Sequence, residues 1–147
     1  MAPLPHPTEG LVIRYSYLWR ADHLAGLEEG SKDRPCAIVL AIVTDDDSRP
    51  LVTVLPITHS PPSHPQDAIE IPAVTKRRLS LDDQRSWIVL TEANEFRWPG
   101  PDLRRTGRPG LDDFAYGYLP NALYERVRLA FLAAIRRSPQ RMVPRTE

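Results

Sequence analysis

The histidines and the single cysteine are the first residues to test for catalytic or metal-binding chemistry. His59 and His64 share a proline-rich segment and could hold a metal ion between them, but a catalytic zinc site commonly takes three protein ligands. His6 and His23 complete the set of four, and no H-x-x-x-H or H-E-x-x-H spacing joins any two of them. Cys36 lies within an apolar run, where a free cysteine usually packs as a small hydrophobic residue. These residues alone predict neither a metal site nor a cysteine nucleophile.

Three segments that end or begin predicted strands form a second group of candidates. An acidic, glycine-containing loop at 26–33 runs into Arg34 and an apolar strand, and two later strands end in hydroxyl or acidic residues. A guanidinium can donate two parallel hydrogen bonds to a phosphate, and an imidazole titrates near neutral pH. The side chains concerned are Arg34, Thr58, His59, Ser60 and Glu92. No glycine-rich phosphate-binding loop and no G-x-S-x-G nucleophile motif accompanies them.

The order of these segments resembles the MazF/PemK family of toxins from bacterial toxin–antitoxin modules. In that family a glutamate-containing loop leads into an Arg-Pro dipeptide and an apolar strand, as Arg34-Pro35 does here. A later strand closes on a signature that Pro56-Ile57-Thr58 matches, and a third strand ends in an acidic residue, here Glu92. The resemblance runs from about Gly10 to Ile135, which is nearly the whole chain.

The resemblance implies a mainly β fold, a small SH3-like antiparallel barrel of the CcdB/MazF/PemK type with a C-terminal helix, assembled as a homodimer. It implies a toxin endoribonuclease that cleaves single-stranded RNA without a metal ion or other cofactor and that a cognate antitoxin protein holds in check. The catalytic pair that it implies is Arg34 and Thr58. The expected substrate-binding residues are Glu29, His59, Ser60 and Glu92.

The chemistry of metal-free RNA cleavage is consistent with these residue types. The ribose 2′-hydroxyl attacks the adjacent phosphate, and Arg34 and Thr58 can donate hydrogen bonds to the phosphorane that forms. Arg34 is a poor proton carrier, because a guanidinium stays protonated throughout the ordinary pH range. The proton must therefore move through another group. His59 has a suitable intrinsic pKa, and Glu29 and Glu92 are the rival bases.

Other interpretations of the same residues stay open. A non-enzymatic inhibitor that binds DNA gyrase, or a structural adaptor, could use the same fold, although neither needs the pair Arg34 and Thr58. Arg34 could also serve only in a surface ion pair with Glu28 or Asp33. The basic run Lys76–Arg78 could follow an RNA backbone or form a solvated face.

Short strands and one helix must position these side chains. Residues rich in β-branched and aromatic types predict strands at 11–19, 36–43, 51–58, 68–72, 86–91 and 112–119. The second and third of these pair in antiparallel fashion across a short turn. An amphipathic pattern predicts a helix over 121–137, with Asn121 as its N-cap. Because helices for parallel crossovers are absent, the sheet should be antiparallel.

The chain is expected to form one domain over residues 10–137. Residues 1–9 are expected to be a flexible N-terminal tail, 138–147 a loose C-terminal tail, and 20–33 a loop. Sixteen prolines, about 11% of the chain and roughly twice the average usage, also favour many short elements.

Composition sets the remaining limits. Nineteen basic and nineteen acidic residues among 147 leave no net charge, which excludes the overall basicity of many nucleic-acid-binding proteins but permits a local basic patch. No apolar run approaches the ~20 residues of a membrane span, and the N-terminal residues lack the features of a secretory signal. We therefore expect a cytoplasmic protein with one hydrophobic core and no membrane partner.

Overall fold

The computed structural model describes residues 4–28, 30, 32–44, 47–107 and 113–145 of the chain. The strands within these residues are β1 (Leu11–Tyr15), β2 (Arg34–Thr44), β3 (Asp47–Thr58), β4 (Ala68–Glu70), β5 (Trp87–Val89), β6 (Ala93–Arg97), β7 (Leu103–Arg104), β8 (Ala115–Tyr118) and β9 (Met142–Pro144). The helices are α1 (Arg20–Leu24), α2 (Ala73–Arg78) and α3 (Asn121–Arg137), with 3₁₀ turns at Pro65–Asp67 and Pro139–Arg141. The fold is therefore mainly antiparallel β-sheet with one long helix near the C-terminus, as predicted.

The sheet is built around β3. One edge of β3 pairs with β2, and its other edge pairs first with β6 and then with β5. The strand β1 is shared in the same way, between β2 on one edge and β8 and β7 on the other. The pairing path ends at β4 and β7, and no pairing among the described residues joins these two strands. The predicted barrel is thus not closed.

The central strands are buried on both faces. Residues that point to one face pack with α3, and they include Val12, Ala37, Val39, Leu55 and Ile57. Their neighbours in the chain point to the other face and pack with aromatic side chains of β6 and the segment after it, and they include Ile13, Cys36, Ile38, Val52 and Val54. This is the pattern that a continuous apolar run predicts for a strand covered on both sides.

The long helix α3 covers one of these faces. Its buried side chains are Leu123, Tyr124, Val127 and Phe131, which lie on one stripe of the helix. The Tyr124 hydroxyl donates a hydrogen bond of 2.8 Å to the carbonyl of Val39 in β2. The N-cap is Pro120 and not Asn121, which is the first helical residue. Among the described residues, no helix combines the length and the apolar character needed to span a membrane.

The C-terminal segment differs from the prediction. Residues 138–145 are not loose, because β9 adds to the sheet as a parallel partner of β6. Val143 in this strand is buried, and the Arg145 guanidinium, only 3% exposed, bonds to the Asp102 carboxylate at 3.0 Å and to the Ser16 carbonyl at 2.8 Å. Pairing between segments this distant in sequence leaves no local pattern, which explains why the sequence did not reveal it.

Two further segments are more ordered than expected. The segment 20–33 was expected to be a loop, but it begins with the short helix α1. In the N-terminal segment, Pro7 is buried and the Glu9 carboxylate accepts a hydrogen bond of 3.3 Å from the Ala41 amide. Both cases are tertiary contacts that stabilise segments too short to be ordered by propensity alone.

Candidate functional site

A cavity of about 460 Å³ lies where β2 begins and β3 ends. The antiparallel register pairs Cys36 with Pro56, and continuing it by two residues sets Arg34 opposite Thr58. Alternate residues of a strand share a face, so these two side chains lie on the same side of the hairpin, and both line the cavity. The lining also includes Lys32, Asp33, His59, Ser60, Asp82 and Ser86. The structure therefore brings together four of the predicted site residues.

The Arg34 guanidinium is held by an aromatic ring and not by a carboxylate. Its central carbon lies 4.9 Å from the centroid of the Trp19 ring, which is the range of a cation–π contact. Its Nε atom is buried and has no hydrogen-bond partner among the residues that the structure describes. The neighbouring residue Leu18 holds Trp19 in place. Its backbone amide donates to the buried side-chain oxygen of Asn94 in β6 at 2.9 Å, and its carbonyl accepts from the side-chain nitrogen of Asn94 at 2.8 Å.

The acid next to Arg34 is engaged elsewhere. Asp33 lies 3.9 Å from the Arg14 guanidinium and 3.6 Å from that of Arg104. No ion pair joins Arg34 to a carboxylate in the part of the chain that the structure describes. The structure thus pairs Arg34 with neither Glu28 nor Asp33, the two acids of the surface ion-pair alternative.

Thr58 and Ser60 form a tight turn at the mouth of the cavity. The Thr58 hydroxyl oxygen accepts a hydrogen bond of 3.2 Å from the Ser60 amide, so the hydroxyl proton stays available for donation. Thr58 is half-buried, whereas His59 and Ser60 are exposed. The strand ends at Thr58, which releases His59 from strict alternation and allows it to line the same cavity as its neighbour.

The His59 ring belongs to a polar network that the sequence did not predict. Its Nε2 atom lies 2.7 Å from one Asp82 oxygen, and the Lys76 ammonium lies 2.6 Å from the other. Lys76 also donates to the Gln84 carbonyl and to the Ser86 hydroxyl. Partial burial acts to raise the pKa of Asp82, but the hydrogen bonds from Lys76 and His59 outweigh it and hold that pKa below its ordinary value.

Of the two glutamates predicted for the site, the one that the structure describes, Glu92, is not brought to it. Glu92 does not line the cavity; its carboxylate accepts hydrogen bonds from the Tyr17 hydroxyl at 3.1 Å and from the Arg20 amide at 2.8 Å. It therefore fixes the start of α1 against β6. Glu29 lies outside the described residues. In the described part of the chain, no group of three His, Cys, Asp or Glu side chains is arranged to hold a metal ion.

Sequence reasoning missed Lys76 and Asp82. Lys76 stands in a run of three basic residues that was read as a solvated or RNA-binding face, yet its side chain is buried on the inner side of α2. Asp82 is distant in sequence from His59, and no local sequence pattern predicts the contact between them. No helix was predicted over this segment, so the sequence offered no signal that Lys76 points inward.

Comparison with known proteins adds no assignment: the chain matches no protein-family model, no curated protein and no solved structure. The function proposed below is supported by the cavity where β2 begins and β3 ends, and by the sequence resemblance.

Proposed function

We propose that this protein is a toxin endoribonuclease that cleaves single-stranded RNA through attack of the ribose 2′-hydroxyl on the adjacent phosphate. The observation that carries the proposal is the Arg34 guanidinium, which shares a cavity with Thr58 and has no ion-pair partner among the described residues. A guanidinium free of protein carboxylates favours an anionic ligand, because its parallel N–H groups match two phosphate oxygens.

The roles of the two side chains follow from where charge develops. As the 2′-oxygen attacks, negative charge builds on the nonbridging oxygens of the phosphorane, and Arg34 donates two hydrogen bonds to them. The Thr58 hydroxyl, which already accepts from Ser60, donates its proton to one of the same oxygens and keeps the phosphate in line. Loss of one such donor typically costs ~10²–10³ in rate.

The wall of the cavity carries cationic side chains that suit the phosphate of a nucleotide linkage. Lys32 stands beside Arg34 in its wall, while Asp33 is offset by Arg14 and Arg104. The Trp19 ring restricts the guanidinium before substrate binds, so less side-chain freedom is lost on binding. These features favour an enzyme over a gyrase-binding inhibitor or a structural adaptor, neither of which needs, opposite a threonine, a restrained arginine that pairs with no described carboxylate.

The same proposal covers the fold family of the chain, its oligomeric state and its protein partner. We assign the sheet and α3 to the SH3-like architecture of the MazF/PemK family, in an open form, and expect a cytoplasmic homodimer. A cognate antitoxin would cover the cavity with an extended acidic segment and compete with RNA for Arg34.

Cleavage of a long single-stranded mRNA transcript in EDTA tests this function. We expect the purified wild-type chain to cut the transcript and leave 2′,3′-cyclic phosphate ends, and to leave single-stranded DNA of the same sequence intact. Arg34→Ala and Thr58→Ala should each slow cleavage by ~10²–10³. Arg85→Ala is the matched control, since Arg85 also lies over a tryptophan ring, at 5.0 Å, but is paired with Glu70 and lies outside the cavity.

Two outcomes would contradict the proposal. Equal cleavage by the wild type and both cavity variants would remove Arg34 and Thr58 from the site. Growth arrest on expression of a wild-type chain that leaves RNA intact would point instead to the gyrase-binding or adaptor function.

A further inference from the structure

The strongest feature that the proposed catalytic pair does not use is the chain of contacts from Lys76 through Asp82 to His59. The Lys76 side chain is 5% exposed, and its three ammonium protons are taken by Asp82, the Gln84 carbonyl and the Ser86 hydroxyl. A buried ammonium with every donor satisfied is a fixed charge, because any other arrangement would leave it unpaired.

This fixed charge determines the position of the Asp82 carboxylate. One oxygen accepts from Lys76 at 2.6 Å and from the Gln84 amide at 3.1 Å, which leaves the other oxygen directed to His59. The carboxylate is therefore held at two points by the protein before it meets the imidazole. Such a geometry orients a histidine ring in the way that a buried aspartate does in a catalytic triad.

The contact also selects the tautomer of His59. An ionised carboxylate only accepts hydrogen bonds, so the Nε2 atom that faces Asp82 at 2.7 Å must carry the proton. In the neutral ring, Nδ1 is then the nitrogen with a free lone pair. His59 lines the cavity beside Thr58, so the ring that carries this basic nitrogen belongs to the same cavity wall as the phosphate-binding pair.

We propose that His59 is the catalytic base of this site, accepting the 2′-hydroxyl proton at Nδ1, and that Asp82 and Lys76 are positioning residues that fix its ring. The inference rests on the proposed ribonuclease function and names the proton carrier that the function requires. The competing base Glu92 is engaged by Tyr17 and Arg20 away from the cavity.

The step is balanced without a metal ion or redox partner. The 2′-oxygen forms a bond to phosphorus as its proton passes to Nδ1 of His59, and the bond between phosphorus and the 5′-oxygen breaks. The imidazolium then gives the same proton, through a water molecule, to the departing 5′-oxygen. The products are a 2′,3′-cyclic phosphate and a 5′-hydroxyl, and the ring returns to its neutral state.

Single-turnover cleavage of the mRNA transcript at saturating protein tests the assignment. His59→Gln should slow the maximal rate by roughly 100-fold or more, and Asp82→Asn by roughly 10- to 100-fold, with little change in the protein concentration at half-maximal rate. The matched controls are His64→Gln, an exposed histidine of the same loop, and Asp83→Asn, which lies outside the cavity. Added imidazole should raise the rate of His59→Gly but not that of Arg34→Ala.

An NMR measurement of the His59 ring nitrogens in the full, ¹⁵N-labelled chain gives a readout independent of activity. We expect protonated Nε2 in the neutral ring of the wild type and of Asp83→Asn, and a shift toward protonated Nδ1 in Asp82→Asn. A wild-type ring protonated at Nδ1 would overturn the inference even if RNA is cleaved.

The outcomes separate the two proposals. A wild-type chain that leaves RNA intact would end the ribonuclease function itself. A wild type that cleaves RNA while His59→Gln is as fast as His64→Gln would leave that function standing and remove His59 as its base. Full activity of Asp82→Asn would remove the positioning role.

Discussion

The Lys76 ammonium lies 2.6 Å from the Asp82 carboxylate, and the two partners differ sharply in exposure, at 5% and 39% of their side chains. The cation is inside the protein, and the anion stands at the edge of the cavity. Because a buried cation depends on its partner more than a half-exposed anion does, this pair links the stability of the fold to the charge state of the site.

Removal of the buried ammonium should destabilise the fold. Lys76→Met removes the ammonium donor to the Gln84 carbonyl and one of the two donors to the Asp82 oxygen, so we expect the free energy of unfolding in urea to fall by about 1–3 kcal/mol. Lys32→Met is the control, because Lys32 is the other lysine of the chain and is exposed. Equal stability of the two variants would show that the Lys76 contacts contribute nothing.

The contribution of Asp82 to stability should be lost in acid. Its pKa is lower in the folded chain than its ordinary value, because the hydrogen bonds from Lys76 and His59 outweigh the effect of partial burial. The ionised carboxylate therefore stabilises the fold above the unfolded pKa of about 3.9, and this effect disappears as the pH falls through the folded pKa. The wild type should have a higher Tm than Asp82→Asn. This difference should be largest near neutral pH and should shrink below about pH 4. A difference that grows in acid would contradict the sign.

Loss of the hydroxyl should affect the stability of the fold differently at two tyrosines. The Tyr15 hydroxyl is buried without a hydrogen-bond partner in the described part of the chain, so Tyr15→Phe should leave the free energy of unfolding unchanged or raise it by up to about 1 kcal/mol. The Tyr124 hydroxyl donates to Val39, so Tyr124→Phe should lower it by about 1 kcal/mol. Chemical denaturation of both variants checks the pair; a loss of equal size in both would refute it.

The Arg145 side chain should be worth more than an exposed ion pair. Arg145→Ala removes the partner of the Asp102 carboxylate at 3.0 Å and leaves it only the more distant Arg104 guanidinium at 3.9 Å. Because Asp102 is only 14% exposed, we expect the free energy of unfolding to fall by about 3 kcal/mol. Arg105→Ala removes a pair of similar length, 2.7 Å to Asp113, that is half-exposed on both sides, and should cost about 1 kcal/mol at most. Similar losses in both variants would mean that Arg145 does not anchor β9.

The elements predicted well from the sequence are the long ones with a clear pattern. The apolar runs at 36–43 and 51–58 lie within β2 and β3, which pair as predicted, and the amphipathic pattern at 121–137 gave the bounds of α3. Short helices such as α1 were missed because five residues carry too little periodicity to detect. The strand β9 was missed because its partner β6 lies far away in the sequence.

The candidate site likewise contains residues that were predicted from the sequence and contacts that were not. The family resemblance implied that Arg34 and Thr58 act together, and the β2–β3 register, which links the start of one strand to the end of the next, brings both to the cavity. The contact of His59 with Asp82 depends on how α2 and the turn after it pack against the sheet, which no local spacing encodes. Glu92 was misplaced because an acidic residue at a strand end serves equally well to hold a helix start.

The burial of the central strands on both faces has a consequence for how this sequence can vary. An ordinary surface strand offers every second position to solvent and so accepts polar replacements there. The stretches 36–39 and 52–57 offer no solvent-facing position, since each of their residues is buried. Sequence change in this part of the chain is thus confined to exchanges among hydrophobic or small residues of matched volume, and divergence must accumulate in the proline-rich connections instead.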